Sequence, residues 1–428
     1  MPRGVNKEWD VVVIGGGPAG MMAAGRAAEK GALVLLLEKN EILGKKLLIT
    51  GGGRCNVTNG EMNTRKLLAK FKGSDKFLFS AFSRFGIKEL LDFFHSHGLE
   101  TKEEANLRIF PKSERARDVR DALAGYLKQN KVTVLAGNPV TGFTKGANDA
   151  IDSVKLGNGK EIKAHSYILA TGGKSRPDTG STGDGFVWLE KLGHKIIKPL
   201  PSLVPIAIKD AWVKKLQGVS VADVKISIFQ DGEKQDSKIG KILFTHFGVS
   251  GPTILNMSKE VGALLEWGDV EIILDMFPKL DLGTLDKKIQ EAFAVNSNKM
   301  FKNSLAGLPA LSSSNGLPSA VASAIVDISG IKGDTFCHSV KKDQRLALVK
   351  LLKAMPMKVE SLLGANKAIV TSGGVALEEV DFKNMRSRLF SNLYLVGDIL
   401  NIDRPSGGYS LQLCWTTGYV AGESAAGK

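Results

Sequence analysis

Residues 9–38 read WDVVVIGGGPAGMMAAGRAAEKGALVLLLE. Within this stretch, Val11–Ile14 is a short apolar run rich in β-branched side chains, which is typical of a buried parallel strand. Small residues from about Pro18 to Lys30 predict a helix, and Leu33–Leu37 predicts a second buried strand. The stretch therefore predicts a strand–helix–strand unit with parallel strands.

The loop between the first strand and the helix fits the pattern G-x-G-x-x-G. Gly15 permits the tight turn, Gly17 lets the backbone approach a pyrophosphate, and Gly20 lets helix and strand pack closely. The helix N-terminus presents free N–H groups and a partial positive charge to phosphates. Glu38 ends the second strand, where a carboxylate accepts hydrogen bonds from the hydroxyls of an adenosine ribose. This context predicts a dinucleotide site; the alternative is a glycine turn in an ordinary βαβ unit.

The composition is that of a globular protein. The chain has 428 residues, enough for two or three domains, and its 43% hydrophobic and 24% charged residues are ordinary values. Its three cysteines, Cys55, Cys337 and Cys414, form no C-x-x-C pair, so neither a disulfide framework nor a metal site is predicted. No signal-peptide pattern and no apolar run of about 18 residues is present. We therefore expect a cytoplasmic protein without membrane association.

The formal net charge is +14. Such an excess of lysine and arginine is compatible with an acidic partner such as RNA, or with a basic surface and phosphate-binding loops. The lysines are dispersed over the chain, and no long basic run or RNA-binding signature occurs. The pattern favours a protein that binds no nucleic acid.

A second glycine-rich loop follows Glu38. Lys39–Asn59 reads KNEILGKKLLITGGGRCNVTN, and its cations include Lys46 and Arg54. Such a loop can wrap a polyphosphate or a flavin edge with backbone N–H groups and a guanidinium fork. The alternative is a glycine-rich surface loop. Its position directly after the predicted ribose-binding strand favours cofactor binding.

The combination of GGGPAG, Glu38 and ITGGGRCNVTN resembles the YhiN/BaiN-like family of bacterial FAD-dependent oxidoreductases, also called the aminoacetone-oxidase-type family. The resemblance extends over nearly the whole chain. It implies an α/β fold: a discontinuous Rossmann-like FAD-binding domain of the two-dinucleotide-binding type, with an inserted domain over the flavin.

Segments far downstream fit the same resemblance. A strand near 132–135 leads to Val140, which the resemblance places at the adenine ring. The strand Ser166–Ala170 ends in Thr171-Gly172, where small residues let the chain pass close to a cofactor. NLYLVGD, residues 392–398, is an apolar strand ending in Gly397-Asp398. In such flavoproteins the aspartate binds the ribitol chain of FAD.

The site is predicted as follows. The residues expected to bind FAD are Gly15, Gly17, Pro18, Ala19, Gly20, Glu38, Lys39, Lys46, Gly53, Arg54, Cys55, Asn56, Val140, Thr171, Gly172, Gly397, Asp398, Gly407, Gly408, Tyr409 and Leu411. No catalytic residue is assigned, and the candidates are Thr245, His246, Arg404 and Tyr409.

The chain is expected to divide into residues 1–193 and 364–428, which form the FAD-binding domain, and an insertion, residues 194–363. Pro199, Pro201 and Pro205 mark a crossing between the two. Short alternating runs then predict an antiparallel, barrel-like sheet, followed by helices. The insertion is where we expect the substrate to be recognised.

This chain departs from the family pattern at three places. Asp398 stands where the family has Glu, the stretch Asn401–Pro405 where it has an Asp-Val-Asp-Gly-like stretch, and Ser410 where it has Asn. FAD binding tolerates these changes. Substrate choice is what they put in question, because Arg404 adds a cation near the expected active face.

The expected activity is transfer of a hydride or two electrons between FAD and a small organic substrate. No second G-x-G-x-x-G follows a strand, so NAD(P)H would act as a transient reductant; dioxygen is the alternative partner. Resembling proteins are linked to oxidation of amino-ketones and to reduction of steroid-like enones. An RNA-modifying or nucleic-acid-binding flavoprotein is the alternative function. The oligomeric state is left open.

Overall fold

Residues 9–38 fold into the strand–helix–strand unit that their pattern predicts. The structure, a computed structural model, describes residues 8–305 and 317–427. Two units are distinguished: the Rossmann unit, residues up to 201 and from 368 onward, and the barrel unit, residues 202–367. The divisions expected from the sequence, after residues 193 and 363, lie slightly earlier in the chain.

Strands and helices are numbered in chain order. The strands are β1 (Trp9–Ile14), β2 (Val34–Leu37), β3 (Thr58–Asn59), β4 (Thr101–Glu104), β5 (Arg108–Pro111), β6 (Thr133–Leu135), β7 (Val140–Lys145), β8 (Ile151–Leu156), β9 (Glu161–Leu169), β10 (Ile196–Ser202), β11 (Ile206–Ile208), β12 (Ser220–Gln230), β13 (Glu233–Thr245), β14 (Gly248–Ser250), β15 (Val270–Asp275), β16 (Met355–Leu362), β17 (Val370–Val375), β18 (Val380–Asp381), β19 (Arg386–Ser387) and β20 (Leu393–Leu395). The helices are α1 (Pro18–Glu29), α2 (Thr64–Leu68), α3 (Asp75–Arg84), α4 (Ile87–Ser96), α5 (Ala116–Gln129), α6 (Asp184–Leu192), α7 (Ala211–Lys215), α8 (Pro252–Leu265), α9 (Leu282–Val295), α10 (Phe301–Ser304), α11 (Ser319–Ile328), α12 (Lys342–Lys353) and α13 (Tyr409–Ala426).

The central sheet of the Rossmann unit has the order β18-β19-β20-β9-β1-β2-β6. Strand β1 is parallel to β2, with Val11 opposite Val34, and parallel to β9 on its other side. Strand β20, from the C-terminal part of the chain, pairs in parallel with β9. Residues from both parts of the sequence thus complete one sheet, and the predicted discontinuous Rossmann-like fold is confirmed.

Helices α1 and α13 pack with almost no space between their backbones. A Cβ atom on Gly418 would lie 2.4 Å from the carbonyl oxygen of Ala19, and one on Gly422 would lie 2.3 Å from that of Ala23. Real Cβ atoms do not approach backbone oxygens so closely, so only glycine fits at these positions. This contact joins the two separated parts of the Rossmann unit.

The crossing that the prolines mark is a regular strand. Pro199 and Pro201 lie inside β10, which pairs with β17 in a two-stranded ribbon. Prolines are tolerated in such a strand because an edge leaves some backbone N–H positions without a ladder partner. The Rossmann unit gives way to the barrel unit at the end of this strand, after residue 201.

The barrel unit contains the closed barrel β11-β14-β13-β12-β15-β16. Inward-facing side chains such as Ile226, Ile242 and Ile272 are fully or almost fully buried. Helices α9 and α12 contact each other, and Arg345 Nε donates a 2.7 Å hydrogen bond to Asp286 Oδ1 between them. The predicted barrel-like insertion with helices is confirmed.

Among residues 8–305 and 317–427, no helix is both long and apolar enough to span a membrane.

Candidate cofactor site

A cavity of about 1200 Å³, including its opening to solvent, lies at the carboxyl ends of β1, β2, β9 and β20. All the residues of its wall belong to the Rossmann unit. Ligands bind at this edge of open parallel sheets because the loops that follow the strands converge there. The wall is formed by Ile14, Gly15, Gly16, Gly17, Pro18, Ala19, Leu37, Glu38, Lys39, Asn40, Gly44, Lys45, Lys46, Leu47, Thr50, Asn138, Val140, Ala170, Thr171, Gly172, Thr179, Gly180, Ser181, Thr182, Gly183, Asp184, Trp188, Ile369, Val370, Val396, Asp398, Ser410, Leu411 and Cys414.

The three glycines of the first loop have different surroundings. Gly15 has a φ of +105°, and a Cβ there would lie 2.5 Å from the Ala170 carbonyl oxygen. A Cβ on Gly20 would lie 1.8 Å from the Gly15 carbonyl oxygen. A Cβ on Gly17 would meet no atom within 4 Å. The space above Gly17, at the N-terminus of α1, is therefore open for a phosphate group.

Glu38 is held in place by backbone and side-chain donors. Its Oε2 accepts a 2.6 Å hydrogen bond from Gly16 N. Its Oε1 accepts hydrogen bonds from Asn40 N at 2.8 Å and from Asn40 Nδ2 at 2.7 Å. Glu38 as a residue is 8% exposed, and it lines the cavity, as a ribose-binding group requires.

Lys39, in the loop after β2, contacts the start of α6 and the residues just before it. Its Nζ donates hydrogen bonds to Thr182 Oγ1 at 2.6 Å and to Asp184 Oδ2 at 2.8 Å. Burial by itself would raise the pKa of Asp184, but the hydrogen bonds from Lys39 and Thr182 hold that pKa below its usual value. This ion pair forms one side of the cavity.

A group of polar side chains lies where the C-terminal segment meets the loop after β2. Lys46 and Asp398 line the cavity there. Burial lowers the pKa of Lys46, while the charge of Asp398 acts in the opposite direction. Burial also raises the pKa of the Cys414 thiol, so this side chain is neutral near pH 7. This part of the wall thus contains the Lys46 amino group, the Asp398 carboxyl group and a neutral thiol.

Arg404 lies behind that wall and its side chain has no exposed surface. Its Nη2 donates to Asp398 Oδ1, its Nε to Ser410 Oγ at 3.1 Å, and its Nη1 to the Ile402 carbonyl oxygen at 2.6 Å. The guanidinium therefore contacts two wall residues without lining the cavity itself.

The structure brings many of the predicted FAD ligands to one wall. Those that line the cavity are Gly15, Gly17, Pro18, Ala19, Glu38, Lys39, Lys46, Val140, Thr171, Gly172, Asp398 and Leu411. Those that do not are Gly20, Gly53, Arg54, Cys55, Asn56, Gly397, Gly407, Gly408 and Tyr409. For both sets, direct contact with FAD stays a prediction.

Arg54 illustrates why some predicted ligands lie elsewhere. Its guanidinium forms ion pairs with Glu104 and Glu114 and stacks over the Phe110 ring, 4.2 Å from the ring centre. Cys55, the next residue, is buried, and burial raises its pKa to about 12, so its thiol is neutral. The Arg54 side chain therefore lies at the β3-β5-β4 sheet and not at the cavity wall, and Cys55 does not line the wall either.

The candidate catalytic residues belong to two different units. Thr245 ends β13 and the exposed His246 follows it, so both belong to the barrel unit. Tyr409 begins α13 in the Rossmann unit and its buried ring contacts the Phe71 ring edge-on, 5.9 Å between centres. Arg404 is buried behind Asp398. A catalytic role for any of these four residues stays a prediction.

Sequence reasoning missed several wall residues. Asn40 lies inside the loop Lys39–Asn59, Ser181 lies inside the glycine-rich segment 180–185, and Trp188 lies on α6. Ile369 and Val370 come from the start of β17. The glycine-rich segment 180–185 could have indicated part of this wall from the sequence. An apolar residue such as Ile369 could not, because nothing in its sequence context distinguishes a cavity wall from an ordinary core position.

The polar groups of the wall match the chemistry of FAD. Thr171 Oγ1 is buried at the cavity, and no hydrogen-bond partner for it is found in the described part of the chain. A bound polar group would satisfy it, since buried hydroxyls are almost always hydrogen-bonded. Open space at Gly17, the acceptor Glu38 and the cations Lys45 and Lys46 also match a dinucleotide with a pyrophosphate. The residues present fit FAD.

Comparison with known families agrees with this geometry. The family described as the HI0933-like protein Rossmann domain matches residues 9–424. The chain belongs to the HI0933-like Rossmann family. The resemblance stated from the sequence, to proteins of YhiN/BaiN type, is thereby confirmed. The HI0933-like fold is a Rossmann-type FAD-binding fold, and the protein is an FAD-dependent oxidoreductase.

Two curated relatives match this HI0933-like chain over most of its length. A 3-dehydro-bile acid delta(4,6)-reductase of Clostridium scindens is 30% identical over 422 residues, 97% of this chain and 98% of the relative. A ribosomal RNA dihydrouridine synthase of Escherichia coli is 26% identical over 418 residues, 97% of this chain and 98% of the relative.

A solved structure shares the fold. It is a 3-ketosteroid delta1-dehydrogenase from Sterolibacterium denitrificans, with a TM-score of 0.54 and 14% sequence identity, covering 98% of this chain and 99% of that one. At this identity the likeness concerns the fold alone.

Proposed function

We propose that this protein is an FAD-dependent reductase that saturates a carbon–carbon double bond conjugated to a carbonyl group in a small organic molecule. The observation that carries the proposal is the 30% identity, over nearly the full length of both chains, to a bile acid delta(4,6)-reductase. The name dihydrouridine synthase of a second full-length relative describes the same bond change, on a uracil ring. Two named activities thus share one chemical step.

The chain's own residues have defined tasks in this proposal. FAD, when bound, supplies the two electrons. The N-terminus of α1 and Gly17 hold the pyrophosphate, and Glu38 holds the adenosine ribose. The N-terminus of α13 places partial positive charge on the other part of the wall, which Lys46 also lines. Apolar wall residues such as Leu411 exclude water.

The barrel unit is proposed to recognise the substrate, with Thr245 and His246 as candidate polar groups. Thr245 Oγ1 is buried, and no hydrogen-bond partner for it occurs among the residues that the structure covers. We propose NAD(P)H as a transient reductant, because the cavity wall contains one dinucleotide loop of the G-x-G-x-x-G type.

The test is anaerobic flavin spectroscopy of the purified protein. NADH or NADPH is expected to bleach the visible flavin absorbance, and an enone such as a 3-oxo-4-ene steroid is expected to restore it. A saturated ketone of the same skeleton is the matched control and should leave the flavin bleached. If the saturated ketone restores the absorbance as fast as the enone, or if only oxidation of amino-ketones is observed, the proposal is wrong.

RNA is a second candidate substrate. It is favoured by the full-length relative named as a ribosomal RNA dihydrouridine synthase and by the net charge of +14. This candidate predicts reoxidation of the bleached flavin by uridine-containing ribosomal RNA and retention of RNA that weakens steeply with salt. A gel shift without retention at low salt would remove it, and leaves the small-molecule proposal intact.

A further inference from the structure

The buried position of Arg404 sets it apart from the other cations near the cavity. Lys45 and Lys46 line the wall, whereas the Arg404 side chain is fully buried. A buried guanidinium without an acidic partner is strongly unfavourable, and Asp398 supplies that partner. Since Arg404 does not reach the cavity, any effect on a bound molecule passes through Asp398 or Ser410.

The contacts of Arg404 fix two wall residues at once. The guanidinium donates to Asp398 and to Ser410 Oγ, and both of these residues line the cavity. Asp398, Arg404 and Ser410 thus form one hydrogen-bonded group at the cavity wall.

The charge of this group depends on Arg404. Arg404 is always protonated and contributes one positive charge, and the Asp398 carboxylate with which it pairs contributes one negative charge. Cys414 adds none, since its thiol is neutral. Without Arg404 the negative charge of Asp398 would be uncompensated, so Arg404 makes this part of the wall more positive by one unit charge. Compensating a negative charge beside a cofactor favours the form of that cofactor that has itself gained negative charge.

We infer that Arg404 is a positioning residue that holds the Asp398 carboxylate in one orientation at the cavity and cancels its charge, and thereby favours reduced FAD. The inference concerns the cofactor and rests on FAD binding, not on the identity of the substrate. It can therefore fail while the proposed reductase activity stands, and the reverse also holds.

The experiment measures the ratio of reduced to oxidised FAD in the holoprotein, equilibrated with a reference dye at a fixed potential. In Arg404→Met this ratio is expected to fall about tenfold, the order expected for one unit charge in a partly buried site. In Asp398→Asn it is expected to rise by a similar factor. In the double variant the two changes are expected to cancel to within about threefold of the wild-type ratio.

Two further variants keep the inference testable if Arg404→Met does not bind FAD. Arg404→Lys retains the charge, so its ratio should stay within about threefold of wild type. Arg115→Met breaks an exposed pair with Asp118 and should leave the ratio unchanged. A ratio that does not rise in Asp398→Asn, or that moves in the same direction in Asp398→Asn and in an Arg404 variant, overturns the inference, because a purely structural role predicts no dependence on the sign of the charge.

Discussion

At the residue scale, Gly17 and Gly20 belong to one pattern but have opposite surroundings. Gly20→Ala would place a Cβ 1.8 Å from the Gly15 carbonyl oxygen, so we expect a loss of about 3 kcal/mol in unfolding free energy. Gly17→Ala meets no protein atom within 4 Å and should leave stability unchanged while weakening FAD binding about tenfold or more. Urea denaturation and flavin titration measure the two effects. If Gly17→Ala and Gly20→Ala lowered the unfolding free energy equally, Gly17 would not be a cofactor-binding position distinct from the packing position Gly20.

Glu38 gives a second prediction at this scale. Its carboxylate accepts hydrogen bonds from Gly16 and Asn40, and its position fits a ribose. Glu38→Gln should weaken FAD binding by about one to two orders of magnitude, because charge-assisted hydrogen bonds contribute more than neutral ones. Glu38→Arg should weaken it further. Flavin retention on gel filtration measures the effect, and retention equal to wild type in Glu38→Arg would reject Glu38 as the ribose ligand.

At the scale of elements, the α1–α13 contact requires glycine. Gly422→Ala would place a Cβ 2.3 Å from the Ala23 carbonyl oxygen and should lower the unfolding free energy by about 2 to 3 kcal/mol. Gly125→Ala, in the middle of α5, is the matched control. A Cβ there meets nothing within 4 Å, so the change should be neutral or stabilise by up to about 1 kcal/mol. If Gly422→Ala and Gly125→Ala changed the unfolding free energy by similar amounts, α1 and α13 would be able to move apart with little loss of stability.

His194 connects the segment before β10 to β18 and β19, and gives stability a pH dependence. Glu379 Oε2 lies 2.7 Å from Nδ1 and Ser387 Oγ 3.1 Å from Nε2. Burial lowers the pKa of His194, and Glu379 only partly opposes this. The unfolded chain therefore takes up a proton more readily, so unfolding free energy should fall as the pH drops below about 6.5.

The measurement is urea denaturation between pH 7.5 and 5.5. In His194→Gln this decrease should be smaller than in wild type, because the variant has no imidazole to protonate. His95→Gln removes an exposed histidine bonded to Thr101 and should keep the wild-type decrease. An unchanged decrease in His194→Gln would assign the pH dependence to other groups.

At the scale of the whole molecule, the two units have separate cores. All wall residues of the cavity belong to the Rossmann unit, so FAD should slow hydrogen exchange in β1, α1, β2 and α13. At 100 times its dissociation constant, FAD should stabilise that unit by about 2.7 kcal/mol. Hydrogen exchange in the barrel strands should slow only when a substrate analogue is added. Protection of the barrel by FAD alone would contradict substrate recognition as its separate task.

The sequence predicted those parts of the fold that depend on local pattern. The stretch 9–38 contains its own strand, turn, helix and acidic residue, so its structure follows from neighbours in the chain. The ion pair of Lys39 with Asp184 joins residues far apart in sequence, and no local pattern encodes it. The same holds for Arg54, whose partners Glu104 and Glu114 draw it away from the cavity wall. The place of such a side chain depends on its ion-pair partner, which is distant in sequence, and not on local secondary-structure propensity.

The contact between α1 and α13 also constrains how the protein is made. A ribosome completes α1 early, but it must synthesise the entire closed barrel before α13 emerges. Until then the apolar face of α1 lacks its glycine-lined partner, and β9 lacks β20 at its side. Chains fold as they emerge, domain by domain, so the barrel can form while the Rossmann unit is still incomplete. Nascent chains stalled before α13 should therefore need protection by chaperones and should take up no flavin.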